Sequence, residues 1–177
     1  MVSLPTWDLF ITLCFLIGLG YGLILGRERI VTTLVASYIG FAVANEIGNA
    51  LHEILTGSSL LNESIWIKSN VSIFAVKTFL FVLFVVLLTL KGEFAALPGA
   101  FSTGIKGTIL TALYSFLGTG LVVSSLIFFL PDPARSSLLA QSTLATSVLQ
   151  YRNWWLVLPI LVMIMVGIWQ GKQQPSE

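Results

Sequence analysis

Apolar residues run along the chain in long blocks separated by short polar stretches, and these blocks define the predicted elements. A helix that crosses roughly 30 Å of hydrocarbon needs about 20 mostly apolar residues. Five segments approach that length, at about 7–26, 30–51, 70–90, 107–130 and 153–170. The third is the cleanest, because Phe79 to Leu90 carries no charge and has Thr89 as its polar residue. The second is the least apolar, with Asn45, Glu46 and Asn49 near its C-terminal end. The fifth is short and contains Pro159, so it is either a full span or an interfacial or re-entrant segment.

The stretches between the blocks set how the segments connect. Arg27-Glu28-Arg29 is all that separates the first two, which predicts a tight hairpin of antiparallel neighbours forming the core unit. The linker at about 52–69 holds Gly57-Ser58-Ser59 and Asn62-Glu63-Ser64, with Ile65-Trp66-Ile67 suited to headgroup level. The next, at about 91–106, holds Pro98-Gly99 and Gly104. Pro131-Asp132-Pro133 stops the fourth helix. From 134 to 150 no helix breaker occurs, and Leu138, Leu144, Ala145, Val148 and Leu149 gather on one side. That stretch reads either as an amphipathic helix at the membrane interface or as a mobile polar linker, with Tyr151, Trp154 and Trp155 beyond it suited to an aromatic belt.

Composition turns these blocks into a fold class. Of 177 residues, 56% are hydrophobic and 10% charged, with a mean hydropathy of +0.93 and a formal charge of +1. A water-facing globule carries roughly 25% charged residues, so a large apolar surface here must face a bilayer. The reading is an all-α polytopic transmembrane bundle, a single membrane domain of four to five spans with one amphipathic interfacial helix. The near-neutral charge and the lack of a basic run argue against nucleic acid as a partner. Met1 to Trp7 contains no Lys or Arg, so the first segment is expected to be retained as a span and not removed as a signal peptide. Lys and Arg outside the spans divide into Arg27, Arg29, Lys91, Lys106 and Lys172 on one side and Lys68, Arg135 and Arg152 on the other. The positive-inside rule then favours an outside N-terminus and a cytoplasmic C-terminus.

Small residues recur at helical spacing in the first hairpin: Gly18, Gly22 and Gly26 in the first segment, and Ala36, Gly40, Ala44 and Gly48 in the second. In lipid, close backbone approach through small residues is a main source of helix association. The two seams are expected to pack the first helix on the second, or either on a copy of itself. The fourth segment has Thr111, Ser115 and Thr119, with Gly120 and Ser124 nearby, and its hydroxyls are expected to bond to their own helix at the i−4 carbonyl.

Charges inside spans cost about 2.5–3.5 kcal/mol at the bilayer centre and are candidates for function by default. Asp8 opens the first helix, Glu46 lies about a turn from the outer end of the second, and Lys77 about two turns inside the third. With Asn45 and Asn49 they form a candidate intramembrane polar cluster in the outer half of the membrane. Lys77 is expected either to pair with Glu46 or to snorkel to the headgroups. A small transporter or channel is the rival reading, with Glu46 and Lys77 on the path.

Other chemistry finds little support. Cys14 is the single cysteine and His52 the single histidine, so neither a disulfide nor a zincin motif can be built. No nucleophile elbow, phosphate loop or dinucleotide fingerprint occurs, and no catalytic residue, metal or cofactor is expected. Asn62-Glu63-Ser64 and Asn70-Val71-Ser72 match the glycosylation sequon.

The acidic residue opening the first helix (Asp8), the glycine-containing helix ending in Gly26-Arg27-Glu28, and the small-residue second helix that follows at once resemble the bacterial colicin V production (CvpA-type) inner-membrane proteins. Leu97 to Lys106 and Gly107 to Leu130 look like that family's loop and last core helix, and Arg135 to Ser142 like its C-terminal amphipathic region. The resemblance covers about two thirds of the chain. That family has four spans, so Trp154 to Trp169 would be an addition, and no Gly follows Arg27 here. The resemblance implies a bacterial inner-membrane protein tied to toxin production and envelope physiology, with no activity defined by a catalytic motif. The residues themselves are read as a non-enzymatic protein whose partners are the lipid bilayer and either copies of itself or another membrane protein.

Overall fold

The structure, a computed structural model, describes residues 6–57, 72–91 and 105–171. Among the described residues there are seven helices and no strand: α1 (Trp7–Leu25), α2 (Arg27–Gly57), α3 (Ile73–Lys91), α4 (Ile105–Phe129), α5 (Asp132–Gln141), α6 (Thr143–Gln150) and α7 (Arg152–Gly171). Four of them, α1 to α4, are long and apolar enough to cross a membrane. The all-α bundle expected from the sequence is therefore the fold, and α6 and α7 together, bent by 57°, add a fifth element that passes the same test.

Contacts between named residues fix the register. A Cβ on Gly18 would meet Thr119 and one on Gly22 would meet Ser115, so α1 and α4 run antiparallel. Ile30 and Leu34 cluster with Tyr114, and Phe41 stacks on Phe129 with centroids 5.7 Å apart, so α2 runs parallel to α4. Gly40 lies on Phe81 and Gly48 on Lys77, so α3 is antiparallel to α2. The result is an up-down-up-down arrangement.

The centre of the bundle is α4, which contributes to all three cores. Val123 and Ile127 pack with Ile11, Leu138, Ala145 and Val148; Phe129 with Ala44, Val76, Leu80 and Phe81; and Tyr114 with Ile30 and Leu34. The first hairpin, expected as the core unit, is not one. α1 packs chiefly on α4 and α2 chiefly on α3.

Three boundaries differ from the sequence expectation for physical reasons. The turn between α1 and α2 is Gly26 alone, at φ 83° and ψ 175°, a region open essentially to glycine. Arg27-Glu28-Arg29 therefore forms the first turn of α2. That helix continues past 51 to Gly57, because no breaker precedes that glycine. The expected single amphipathic helix over 134–150 is two helices. Ser142, in extended conformation at φ −137° and ψ 118°, ends α5 and caps α6.

The helix α7 runs back along α4. Trp155 sits on Gly120 near one end, and Val162 and Met163 reach the Ile30–Leu34–Tyr114 cluster toward the other. Pro159 has no N–H for the carbonyl of Trp155. On this loosened turn the neighbouring Leu156 carbonyl accepts a 2.5 Å hydrogen bond from the Tyr38 hydroxyl.

Candidate functional site

The up-down order brings the start of α1, the later part of α2, the start of α3 and the end of α4 to one end of the bundle, where α5 and α6 also lie. Asp8, Asn45, Glu46, Asn49 and Lys77 share that end, as the sequence suggests, but they do not form one cluster. Asp8 turns to the α5–α6 junction. Its carboxylate accepts hydrogen bonds from Ser142 Oγ at 2.5 Å, from the Leu144 backbone N–H at 3.1 Å and from Thr143 Oγ1 at 3.4 Å. The Ser142 hydroxyl in turn accepts from the Ala145 N–H at 2.9 Å. Two amides that the first turn of α6 would otherwise leave unpaired are thus satisfied, and a negative charge sits at the positive end of the helix.

The expected Glu46–Lys77 pair is not formed. Glu46 is exposed and accepts a hydrogen bond of 3.2 Å from Asn45 Nδ2. The Lys77 stem crosses Gly48, whose Cβ, if present, would lie 2.6 Å from Lys77 Cγ. Helix geometry explains the mismatch: Gly48, which meets Lys77, and Glu46 are two residues apart and so on opposite faces of α2 at nearly the same level, Gly48 buried and Glu46 exposed. Asn49 is exposed on the same helix and Asn45 half-buried. Among the described residues, no group of three or more His, Cys, Asp or Glu comes together to hold a metal ion.

The small-residue seams are internal, but with other partners than expected. Gly18 and Gly22 seat Thr119 and Ser115 of α4, with the hypothetical glycine Cβ atoms 2.9 and 2.7 Å from the partners' own Cβ atoms. Gly40 lies under α3, where a Cβ, if present, would come 3.0 Å from the Phe81 carbonyl oxygen. Ala36 and Ala44 are buried on α2. Gly26 leaves the seam altogether: nothing lies within 4 Å of its missing Cβ, and its role is the turn. The fourth helix behaves as expected, since Thr111, Ser115 and Thr119 donate to Gly107, Thr111 and Ser115 carbonyls at 2.8–2.9 Å. Its Ser124 and Ser125 both donate to Leu121.

Sequence reasoning did not single out Ser142 as a cap, although serine before a run of helix formers is the usual N-cap signal. It also placed Trp155 in an aromatic belt. Trp155 instead fits over Gly120, packs against Phe15 and Phe116, and donates from Nε1 to the Val148 carbonyl at 3.1 Å. Trp154 and Tyr151 are exposed and remain suited to an interface. Of the amphipathic stretch, Leu138, Ala145 and Val148 are buried and Leu144 is exposed. The Asn62-Glu63-Ser64 sequon, Asn70 and Val71 of the second, and Trp66 lie outside the described residues.

Beside the Asp8 clasp lies a cavity of about 650 Å³, within the usual range for ligand sites. Its walls are Trp7, Phe10, Ile11 and Cys14 of α1, Phe74 and Thr78 of α3, and Val123, Leu126 and Ile127 of α4, with Leu130 beyond. Ala134, Ser137, Leu138 and Gln141 of α5 cover one end. None of the candidate polar residues lines it.

Compared with known proteins, the chain matches no known family, no curated protein and no solved structure. What the fold defines is a class: an all-α bundle whose apolar helices are compatible with an integral membrane protein.

Proposed function

We propose that the chain is a non-enzymatic integral membrane protein that serves as a membrane component of a larger envelope assembly, associating with copies of itself or with another membrane protein. The observation that carries this is how its polar groups are used. Asp8 caps α6, Glu46 is bonded to its neighbour Asn45, and the α4 hydroxyls bond to their own helix. The exposed faces of α1 and α3 are apolar along much of their length. The outer face of α1 exposes Leu13, Leu16, Ile17 and Ile24, and that of α3 exposes Phe79, Val82, Val86 and Leu90. In a bilayer such faces meet partners by packing.

The resemblance to the colicin V production family favours the bacterial inner membrane and a link to toxin production or export. The distribution of Lys and Arg favours an outside N-terminus and a cytoplasmic C-terminus. Because Gly18, Gly22, Gly40 and Gly48 are engaged inside the bundle, association is assigned to the outer faces and not to the seams. Transport would need Glu46 and Lys77 around a shared water path, and neither lines the described cavity.

Two measurements test this. Ion and small-solute flux is recorded in liposomes containing the parent or the Glu46→Gln, Lys77→Met double variant. Cross-linking is then read in native membranes from photoreactive residues placed at Leu16 or Val86. Cross-linked species from those faces without flux are the expected result. Selective flux in the parent that the variant loses would overturn the reading in favour of a transporter.

A further inference from the structure

α1 and α3 both lie against α4, but α3 is held mainly by α2. Between α1 and α3, the α4 face carrying Val123, Leu126 and Ile127 is left to the cavity of about 650 Å³. The cavity begins at Trp7, an exposed aromatic at the start of a span and suited to the headgroup level. It reaches Cys14, about 10 Å further along the helix at roughly 1.5 Å per residue. At the end covered by α5 the lining turns polar, where Gln141 Nε2 donates to Ser137 Oγ at 3.1 Å.

A second observation points to an occupant. The Thr78 hydroxyl, on the α3 wall, is buried and has no hydrogen-bond partner among the described residues. Thr12, Thr111, Ser115 and Thr119 each donate to the carbonyl four residues back. Thr78 lines the cavity, so an ester carbonyl held against it would supply an acceptor.

We infer that this cleft binds one acyl chain of a membrane phospholipid, entering sideways from the bilayer between α1 and α3. The tail lies on Val123, Leu126 and Ile127, the ester region faces Thr78, and the headgroup stays outside Ser137 and Gln141. Both flanking helices are long and apolar enough to span the bilayer, so lipid is the solvent at the mouth. The lining carries no charged residue, which leaves a free fatty-acid carboxylate without a counter-ion. A partner helix, 10–12 Å in diameter, would need a groove running the length of the bundle. The inference rests only on the membrane-spanning part of the proposed function.

The test uses the full chain in nanodiscs of phosphatidylcholine doped with a phospholipid bearing a diazirine on one acyl chain. Photolabel is mapped by mass spectrometry of peptides. Label concentrated on the peptides that carry Cys14 and Leu138 is expected, with a roughly tenfold fall in Ala134→Trp, since overpacking removes the ligand's space. Leu87→Trp, on the outer face of α3, should label like the parent. If Ala134→Trp fails to fold, Cys14→Phe fills the cavity from the opposite wall. Label spread evenly over the outer faces, or unchanged by the filling variant, overturns the inference. So does displacement of the phospholipid from the cleft by a free fatty acid. Alkaline carbonate extraction of native membranes separates the two readings. A protein released by carbonate defeats the membrane reading itself, whereas a retained protein without cleft label defeats only the acyl-chain site.

Discussion

The carboxylate of Asp8 accepts a 2.5 Å hydrogen bond from the hydroxyl of Ser142, 134 positions further along the chain. The contact ties the first turn of α1 to the break between α5 and α6, beside the end of the cavity that α5 covers. Removing the cap by Ser142→Ala should cost about 1 kcal/mol of stability, read as a shift of reversible unfolding in mixed micelles. Asp8→Ala should speed hydrogen exchange at the Leu144 and Ala145 amides, while Asp8→Asn, which keeps one acceptor oxygen, should fall between. Unchanged exchange in Asp8→Ala would mean that α6 holds its end without α1.

The contact of Gly22 with Ser115 permits a sharper test of which helices the small residues join. A methyl group on Gly22 would crowd both Oγ and Cβ of Ser115; the hydroxyl can rotate about χ1, but the Cβ is fixed to the α4 backbone. Gly22→Ala should therefore destabilise by about 1–3 kcal/mol, and Gly22→Ala combined with Ser115→Gly should recover much of the loss. Gly20→Ala, with nothing within 4 Å of the new methyl group, supplies the control and should be close to neutral. A double-mutant cycle showing no coupling between positions 22 and 115 would contradict the α1–α4 packing.

These two sites show where sequence reading succeeds and where it stops. Block length and low charge led directly to the spans, because they report the cost of leaving polar groups in hydrocarbon. The glycine registers at 18 and 22 and at 40 and 48 correctly announced close approach. They could not say to what, since periodicity describes one helix face and carries no information about the partner. The Asp8–Ser142 contact was invisible for the same reason, being set by the return of a distant segment. Ser142 as a cap was readable locally. Glu46 stands on the face of α2 opposite Gly48, a two-residue separation that helical periodicity gives, and this keeps it from Lys77 and leaves the expected ion pair unformed.

Gly26 makes the hairpin possible through its backbone. Its φ of 83° with ψ 175° is a conformation in which an L side chain is strained by about 1–3 kcal/mol. Because nothing lies within 4 Å of its missing Cβ, Gly26→Ala isolates that strain from any packing effect. The variant should lose about that much stability while keeping the helical content of the parent by circular dichroism. A neutral Gly26→Ala would show that the turn can relax into an ordinary conformation.

Lys77 and Glu46 occupy the same end of the bundle without meeting, and their energetics should be independent. Lys77 packs its aliphatic stem across Gly48, as long cationic side chains do when the head group reaches water. Lys77→Met keeps that stem and should be nearly neutral, whereas Lys77→Ala uncovers Gly48 and should destabilise. The double-mutant cycle of Lys77→Met with Glu46→Gln should show coupling within about 0.3–0.5 kcal/mol, the additivity of separated sites. Breaking a buried ion pair would instead cost about 3–5 kcal/mol for either single variant. Unfolding of the parent, both single variants and the double variant in the same micelles decides between the two, and strong coupling would restore the pair.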